Sequence, residues 1–452
     1  MLSEVESAVS SVLVPIFTHH NSKMTEEVGF LALVSVVKKG KLSPAILSLT
    51  TETLKFDYLS CQKSTQSYPF FHVIGACSEV SSPLRFSLCL YAETRLLQMV
   101  VESSSPGECD AWVQRIMQAA YPEQPIGRRI AVLVNPISGK KKGVKTFRKC
   151  LLPMLEYTSI SCAYFETDTS DFVPQWCRNT DLSLFSEIVL FGGDGLLNQL
   201  LNGLAAKGRL DIPIGVIPCG SQNALACSIG CKNPFKACLH TIKCTKVEAD
   251  LLKLSLDGTI LLASSATAWG IVSDIVVEAQ SMRQYGTAVS PKQRYALCGI
   301  KKMVSKWKEY RAKVKFIPAD SYHMETLGEI GETEDEWRTI EGPFQLLAVL
   351  NHSCASSLSS DIMSPNGHLN DGLMDLLAVH SGSRMKMVKL LVGIRRNGDH
   401  ITQSNLIYVK VRAVCIEPET THWFNVDGEP YQCDRLVVET MPRRITYLGE
   451  IQ

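Results

Sequence analysis

The sequence predicts an α/β domain set between two β-rich ones, and three observations carry that prediction. Short apolar runs end in glycine-rich loops at three places, Ile130 to Val134, Glu187 to Phe191 and Pro213 to Ile217, and helical patterns follow them. The stretches before and after this region read as successive short strands bounded by turn residues. A length of 452 residues suits roughly two to three domains with ample core.

Composition removes several function classes. With 46 Lys+Arg against 45 Asp+Glu, no whole-molecule field points to nucleic acid. The 16 cysteines are scattered; Cys227, Cys231 and Cys238 are the tightest group, and they lack the paired spacing of a zinc site, so they read as small apolar residues. Residues 1–27 are expected to form a flexible N-terminus. Its apolar patch, Val9 to Phe17, follows Glu4 and Glu6 and no basic region, which makes a poor signal peptide. No stretch approaches the roughly twenty apolar residues of a transmembrane helix, so a cytosolic protein with reduced thiols is expected.

Residues 28–121 carry strand-like text in FLALVSVV, AILSLT, TLKFDYL, FFHVIGAC, LRFSLCLY and RLLQMVVES, then one helical pattern over Gly107 to Ala120 with Trp112, Ile116 and Met117 on one face. Strands closed by a tryptophan-bearing helix resemble a pleckstrin-homology domain, which implies a lipid-headgroup or membrane adaptor; an inert packing domain is the plainer alternative. Pro122-Glu123-Gln124-Pro125 reads as a linker.

Residues 126–247 form the expected α/β domain. Its first strand leads into Asn135-Pro136-Ile137-Ser138-Gly139-Lys140-Lys141-Lys142-Gly143, a basic loop punctuated by glycine. Helix, strand and helix then alternate between Lys145 and Glu187, and the turn at Thr167 to Asp171 closes the edge of a crevice. In Phe191-Gly192-Gly193-Asp194-Gly195, a buried strand runs through glycines into a helix, which aims backbone amides and a positive helix end at one point, a place to hold phosphate. The only side chain in that turn is a carboxylate. Beside phosphate it serves binding poorly, so Asp194 reads as a proton acceptor or a partner of a metal ion. The third loop, Pro218-Cys219-Gly220-Ser221-Gln222-Asn223, opens another helix. In an open α/β sheet, ligands sit at the carboxyl ends of the strands. None of the three loops is a P-loop or a GxGxxG dinucleotide fingerprint.

Residues 248–452 carry a sandwich-like series of strands. Two segments interrupt it. Ala296 to Lys315 places Leu297, Ile300, Met303, Val304 and Trp307 at helical spacing with seven Lys/Arg opposed by Glu309 alone, which reads first as a core-facing helix with a solvated basic side and second as a basic amphipathic helix suited to anionic lipid or calmodulin. Residues 318–342 are acidic and turn-rich, a mobile surface loop by composition. Asp427-Gly428-Glu429, after a short strand, reads as a hairpin turn.

The blocks VLVNPISGKKKG, FGGDGLLNQLLNGL, IPCGSQNALA, AWGIVSDIVVE and FNVDGE, in this order from Arg129 to about Tyr447, resemble the diacylglycerol kinase superfamily, and within it the sphingosine kinases. The resemblance implies an α/β nucleotide-binding domain with a GGDG loop packed on a β-sandwich lipid-binding domain, with the active site in the cleft between them. It implies ATP and Mg2+ as cofactors, transfer to the primary hydroxyl of a sphingoid lipid, and Asp194 as the catalytic base. Asn135, Pro136, Ile137, Gly139, Thr167, Gly192, Gly193, Gly220, Ser221 and Gln222 would meet the nucleotide, together with Arg283, Arg294, Asp427, Gly428 and Glu429. No individual metal ligand is assigned, and a metal role for Asp371 or Asp375 is not favoured.

Gly193, Asp194, Gly195 and Asp274 would face the lipid. Sphingosine kinases usually carry Asp-x-Asp at the segment matching Asp274-Ile275-Val276, so Val276 departs from the family, and Asp274, treated as lying on a strand, is expected to take over the ammonium contact. Ceramide kinases share an apolar residue at that position and a pleckstrin-homology domain, so ceramide is the alternative acceptor and diacylglycerol the next. The resemblance further implies peripheral membrane association and contact with calmodulin. An NAD-kinase-like enzyme, which also carries GGDG, and a non-catalytic lipid-binding regulator are the remaining alternatives.

Overall fold

The computed structural model describes residues 30–38, 41–59, 65–122, 127–137, 142–169, 171–220, 223–284, 291–305, 308–319, 336–353, 362–396 and 398–451. The expected flexible N-terminus, most of the acidic loop within 318–342, and Gly139, Ser221 and Gln222 lie outside them. The chain divides into two compact units, residues 1–124 and 125–452.

In the first unit, β1 (Phe30–Lys38), β2 (Lys41–Leu49), β3 (Thr53–Tyr58), β4 (Thr65–Pro69), β5 (Val73–Ser78), β6 (Arg85–Ala92) and β7 (Arg95–Glu102) make an antiparallel sheet in the order β4-β3-β2-β1-β7-β6-β5. Helix α1 (Pro106–Ala120) closes it, with Pro106 in its first turn and the Ser105 side chain accepting from the Glu108 amide. Its Trp112 and Ile116 are buried with Val36, Leu47, Phe56, Phe86 and Val101. Strand β4 is absent from the sequence reading for a physical reason: TQSYP is polar, exposed at alternate positions and at the sheet edge, so no apolar period marks it.

The second unit opens with β8 (Arg129–Val134). Helix α2 follows in three segments, Gly143–Thr146, a π-helical turn over Phe147–Leu151, and Leu152–Leu155. Then come β9 (Ser161–Glu166), α3 (Phe172–Asn179), β10 (Glu187–Gly192), α4 (Asp194–Ala206), β11 (Ile214–Pro218), α5 (Ala224–Ser228) and α6 (Pro234–Lys243). Strands β9, β8, β10 and β11 are parallel neighbours in that order. The inner strands β8, β10 and β11 are apolar because helices cover both faces, with Ile130 to Val134 and Ile188 to Phe191 almost wholly buried, whereas the edge strand β9 (SCAYFE) is partly exposed along its length.

The β-rich remainder comprises β12 (Lys246–Leu256), β13 (Thr259–Ala263), β14 (Ala266–Gly270), α7 (Ile271–Gln284), α8 (Pro291–Val304), β15 (Tyr310–Pro318), β16 (Arg338–Leu350), β17 (Met374–His380), α9 (Arg384–Arg395), β18 (Leu406–Pro418), β19 (His422–Val426), β20 (Glu429–Cys433) and β21 (Leu436–Leu448). Trp269, Phe344, Leu376, Val414, Phe424 and Val438 centre its core. The last strand joins the two halves. It pairs antiparallel with β12 and β18 and parallel with β11, where Ile214 opposes Tyr447.

Three expectations are corrected. The basic helix ends at Val304, and Arg311, Lys313 and Lys315 belong to β15, where residues alternate between buried and exposed. The segment holding Asp274 and Val276 is helical and not extended. Cys227 is disulfide-bonded, whereas other cysteines, Cys231 and Cys238 among them, are free and buried.

A buried ion pair ties the base of the parallel sheet to α6. The Arg128 guanidinium donates to Glu187 at 3.1 Å and to the carbonyls of Ile242 and Thr241 at 2.9 and 3.0 Å, and Ser186 donates to the other Glu187 oxygen at 2.6 Å. Both charged side chains are almost fully buried. Removing one partner strands the other charge in a low-dielectric site. Glu187→Ala is therefore expected to cost about 3–5 kcal/mol in denaturant unfolding, and the double change Arg128→Met with Glu187→Leu far less; equal losses would show that the charges contribute no more than their packing.

Candidate active site

The carboxyl ends of β8, β9, β10 and β11 deliver their loops to one place. Asn135 leaves β8 with its amide bonded to the Phe191 carbonyl at 3.0 Å, and its side-chain oxygen accepts from the Ile137 amide at 3.0 Å, which turns the loop after Pro136. A Cβ on Gly143 would stand 2.3 Å from the Asn135 carbonyl oxygen, so only glycine lets α2 begin there. Thr167, buried at the end of β9, bonds the Val134 carbonyl through its amide at 2.8 Å and through its hydroxyl at 3.4 Å.

Gly192 accepts from the amides of Cys219 and Gly220 at 2.9 and 3.0 Å. The second and third loops touch backbone to backbone: a Cβ on Gly220 would lie 2.5 Å from the Gly193 Cα. Asn223, in the left-handed region at φ 53°, holds the Gly220 turn by accepting from the Gly220 amide at 3.0 Å and donating to its carbonyl at 3.1 Å.

Asp194 is the first residue of α4, where the helix dipole favours an anion. It is half-buried and accepts from the Ala224 amide at 3.3 Å. Burial first, and the nearby Asp427 carboxylate second, push its carboxyl up to about 6, against the pull of the surrounding amides. A group poised there is ionised at neutral pH and still basic enough to take a proton.

The β19–β20 hairpin reaches the same point. Val426 pairs with Glu429 across a two-residue turn with Asp427 at φ 47° and Gly428 at φ 94°. Asp427 accepts from the amides of Ser264, Ser265 and Ala266 at 2.7, 3.0 and 3.0 Å, from the Ser264 hydroxyl at 3.2 Å and from Asn198 at 3.4 Å. That carboxylate is saturated and buried, so it fastens the hairpin and leaves none of its oxygens to a ligand. Glu429 is exposed; its Oε1 would stand 3.1 Å from a Cβ on Gly195, and Gln280 donates to its Oε2 at 3.2 Å and to the Gly428 carbonyl at 3.3 Å.

These positions fit a nucleoside triphosphate with Mg2+. The Gly193–Gly220 contact and the open side of Gly195 form a cradle that any Cβ would fill. Arg294 lies apart from these loops in sequence, on α8, and its Nε is buried without a hydrogen-bond partner among the described residues. Arg283 lies on α7 with its side chain outside the description. Mg2+ keeps several waters and takes one or two carboxylates plus phosphate oxygens, a demand that Glu429 meets.

Asp274 is a different case. Tyr310 donates to it at 2.8 Å, Lys302 and Lys308 stand at 3.6 Å, and the His422 Nε2 at 3.3 Å. Burial pushes its carboxyl upward, but the hydrogen bonds from His422 and Tyr310 and the two lysines outweigh it and hold the group well below the usual carboxylate range. On a helix, residues two apart point roughly 200° away from each other. Asp274 is thus neither free nor placed to stand in for Val276, which corrects the expected takeover of the ammonium contact.

Sequence reasoning overlooked the polar residues that hold the site. Asn198 and Asn202, one turn apart on α4, both donate to the Leu262 carbonyl, at 2.9 and 3.0 Å, and Asn202 accepts from the Leu262 amide at 2.9 Å. Their i,i+4 spacing on an otherwise apolar helix was the available signal. Gln280 and Ser264 carried none, because their partners are far away in the chain.

Gly220→Ala is expected to force the Gly193 and Gly220 loops apart at an overpacking cost of about 1–3 kcal/mol, weakening ATP binding roughly tenfold or more in equilibrium titration; unchanged affinity would mean that the two loops do not form the phosphate cradle.

Comparison with known proteins agrees with this arrangement. Residues 129–254 match the diacylglycerol kinase catalytic domain, and residues 335–449 match the YegS C-terminal NAD kinase beta sandwich-like domain. Sphingosine kinase 1 of Arabidopsis thaliana is 26% identical over 322 residues, covering 64% of this chain and 64% of its own length. Human sphingosine kinase 1 is 27% identical over 338 residues, 67% of this chain and 85% of its own. Human ceramide kinase is 23% identical over 357 residues, 68% of this chain and 64% of its own. The chain therefore spans less than two thirds of the Arabidopsis thaliana enzyme and of the human ceramide kinase. A solved structure described as a candidate diacylglycerol kinase from Bacillus anthracis str. Sterne shares the fold, with a TM-score of 0.54 and 18% identity over 73% of this chain and 99% of that one. By these matches, residues 129–254 carry a diacylglycerol kinase catalytic domain, and the chain is similar over about two thirds of its length to sphingosine and ceramide kinases.

Proposed function

We propose that this chain is an ATP- and Mg2+-dependent lipid kinase that phosphorylates the primary hydroxyl of a sphingoid lipid, sphingosine first. The observation that carries the reading is Asp194, a carboxylate lifted to about 6 at the N-terminus of α4, where glycine loops converge. When bound, ATP with its metal ion supplies the phosphoryl group and much of the charge neutralisation. The chain supplies positioning and a base. Amides around Gly193 and Gly220 would hold phosphate oxygens, Arg294 would offer a donor to spread-out negative charge, Glu429 would hold the ion, and Asp194 would accept the hydroxyl proton as the lipid oxygen bonds the γ-phosphorus in line and the bond to the β–γ bridging oxygen breaks, releasing ADP. The proposal includes peripheral attachment to a membrane, where such an acceptor resides; no helix among the described residues is long and apolar enough to cross one. Calmodulin is a weaker partner reading, because Lys301 and Lys302 of α8 are engaged by Glu278 and Asp274.

Names of relatives favour sphingosine, since two sphingosine kinases of Arabidopsis thaliana and that of human all align. One observation favours ceramide as a second reading: the carboxylate nearest the expected ammonium position, Asp274, is already neutralised, and Val276 is buried. Transfer from labelled ATP to sphingosine, ceramide and diacylglycerol in parallel decides between them. Faster transfer to ceramide overturns the first reading, and no transfer to any of the three overturns the kinase proposal.

The pH behaviour follows from Asp194. Turnover should fall about tenfold per pH unit below about 6 and level off above it, and Asp194→Asn should lower kcat by roughly two to four orders of magnitude with ATP affinity retained. Equal loss of both would make the residue structural.

Stability should move the opposite way. A carboxyl whose folded value exceeds its ordinary 3.8 favours the fold while neutral, below about pH 4, and that contribution is gone once the pH has risen through about 6. Asp194→Asn is therefore expected to raise stability at pH 7.5 by roughly 1–3 kcal/mol, at about 1.4 kcal/mol per unit and reduced for partial exposure, with no difference near pH 4. A thermal midpoint that is unchanged at pH 7.5 would contradict the raised carboxyl.

A further inference from the structure

Helix α9 carries apolar side chains on both its faces. Its inner face is ordinary, with Met387, Leu390 and Ile394 buried in the β-rich core. Its outer face is apolar as well: Met385 is 64% exposed, Val388 43%, Leu391 50% and Val392 43%. Positions 385, 388 and 392 follow the i, i+3, i+7 rhythm of one stripe. A helix that is apolar on both sides is normally buried on both.

The polar residues of that helix are all of one sign. Arg384, Lys386, Lys389 and Arg395 lie within it, Arg396 follows, and no acidic residue occurs between Arg384 and Arg396. Among the described residues, Lys386, Lys389 and Arg396 enter no ion pair. Apolar side chains ringed by cations match the boundary of an anionic bilayer, where acyl chains meet phosphates, better than they match an ordinary protein surface.

A second observation extends the face. On α8, Leu297, Ile300 and Val304 are 50%, 62% and 71% exposed at the same i, i+3, i+7 spacing. One side chain links the two helices: Arg384, at the start of α9, donates to the carbonyl of Ser305, just past the end of α8, at 2.7 Å. Val304 and Met385 are each one residue in sequence from that contact. Inwardly, α8 contacts α7 through Cys298 and Met282 and through Lys301 and Lys302 on Glu278, and α7 holds Glu429 through Gln280.

We propose that the outer face of α9 is a membrane-docking surface, which seats Met385, Val388, Leu391 and Val392 in the interfacial layer of an anionic bilayer with Lys386 and Lys389 against lipid phosphates. The proposal deepens the lipid-kinase reading, since it assigns the surface by which the site is brought to a membrane-held acceptor.

The test separates docking from chemistry. Full-length protein is sedimented with vesicles of phosphatidylcholine alone and of phosphatidylcholine with phosphatidylserine, without any kinase substrate. Wild type should bind the anionic vesicles, and more weakly as salt rises. Met385→Glu with Leu391→Glu, and separately Lys386→Glu with Lys389→Glu, should each weaken that binding roughly tenfold or more. Turnover on detergent-dispersed acceptor and the thermal midpoint should stay unchanged, since all four side chains are exposed. Absence of wild-type binding to anionic vesicles, or full binding by both variants, overturns the docking surface. So does a wild-type dimer that the Met385→Glu, Leu391→Glu variant converts to monomer, which would give the face to a second copy of the chain. Failure of the kinase reading has a separate sign: vesicle binding that follows the expected pattern, with no phosphoryl transfer to any lipid in detergent.

Discussion

The site depends on one buried carboxylate that does no chemistry. Asp427 sits in a left-handed turn position and gathers donors from residues 264–266 and from Asn198. A buried anion with so many amide partners is stable only while those partners stay in place. Through it, the β19–β20 hairpin, the start of β14 and helix α4 are held as one piece. Two consequences reach the glycine loops. Glu429 is carried to the open side of Gly195, and the Asp427 charge helps lift the Asp194 carboxyl to about 6.

The same logic separates the carboxylates of this unit by role. Asp194 has few donors and a like charge nearby, so it is raised and ready to accept a proton. Asp274 has Tyr310, His422 and two lysines, so it stays ionised and occupied. The aromatic rings around it, Trp269, Tyr310 and His422, lie 5.3–5.7 Å apart edge to face, and together they pin α7 to β15 and β19.

Strand β21 makes a sequence-distant closure between the halves of the second unit. By pairing with β11 on one side and with β12 and β18 on the other, it turns the parallel and antiparallel sheets into one hydrogen-bonded surface. The glycine loops of the first half and the hairpin of the second can then meet without the cost of ordering a free domain joint.

By itself the sequence determined what is local. Apolar runs before Asn135, Gly192 and Cys219, glycines at the following turns and the Asp427-Gly428 hairpin each follow from propensities within a few residues, and they placed Asp194 at the start of a helix. The tertiary structure decided what depends on distant partners. Asp427 became a fastening and not a ligand because Ser264 and Asn198 arrive from elsewhere in the chain. Asp274 became an internal ion pair because AWGIVSDIVVE leaves its strand at Gly270 (φ 87°) and turns helical, a change of period that β-branched residues conceal. Strand β4 was invisible because an exposed edge needs no apolar alternation. The outer face of α9 was illegible for the opposite reason: an apolar residue in sequence reads as core, and only the surrounding fold shows that none of the described residues of this unit covers it.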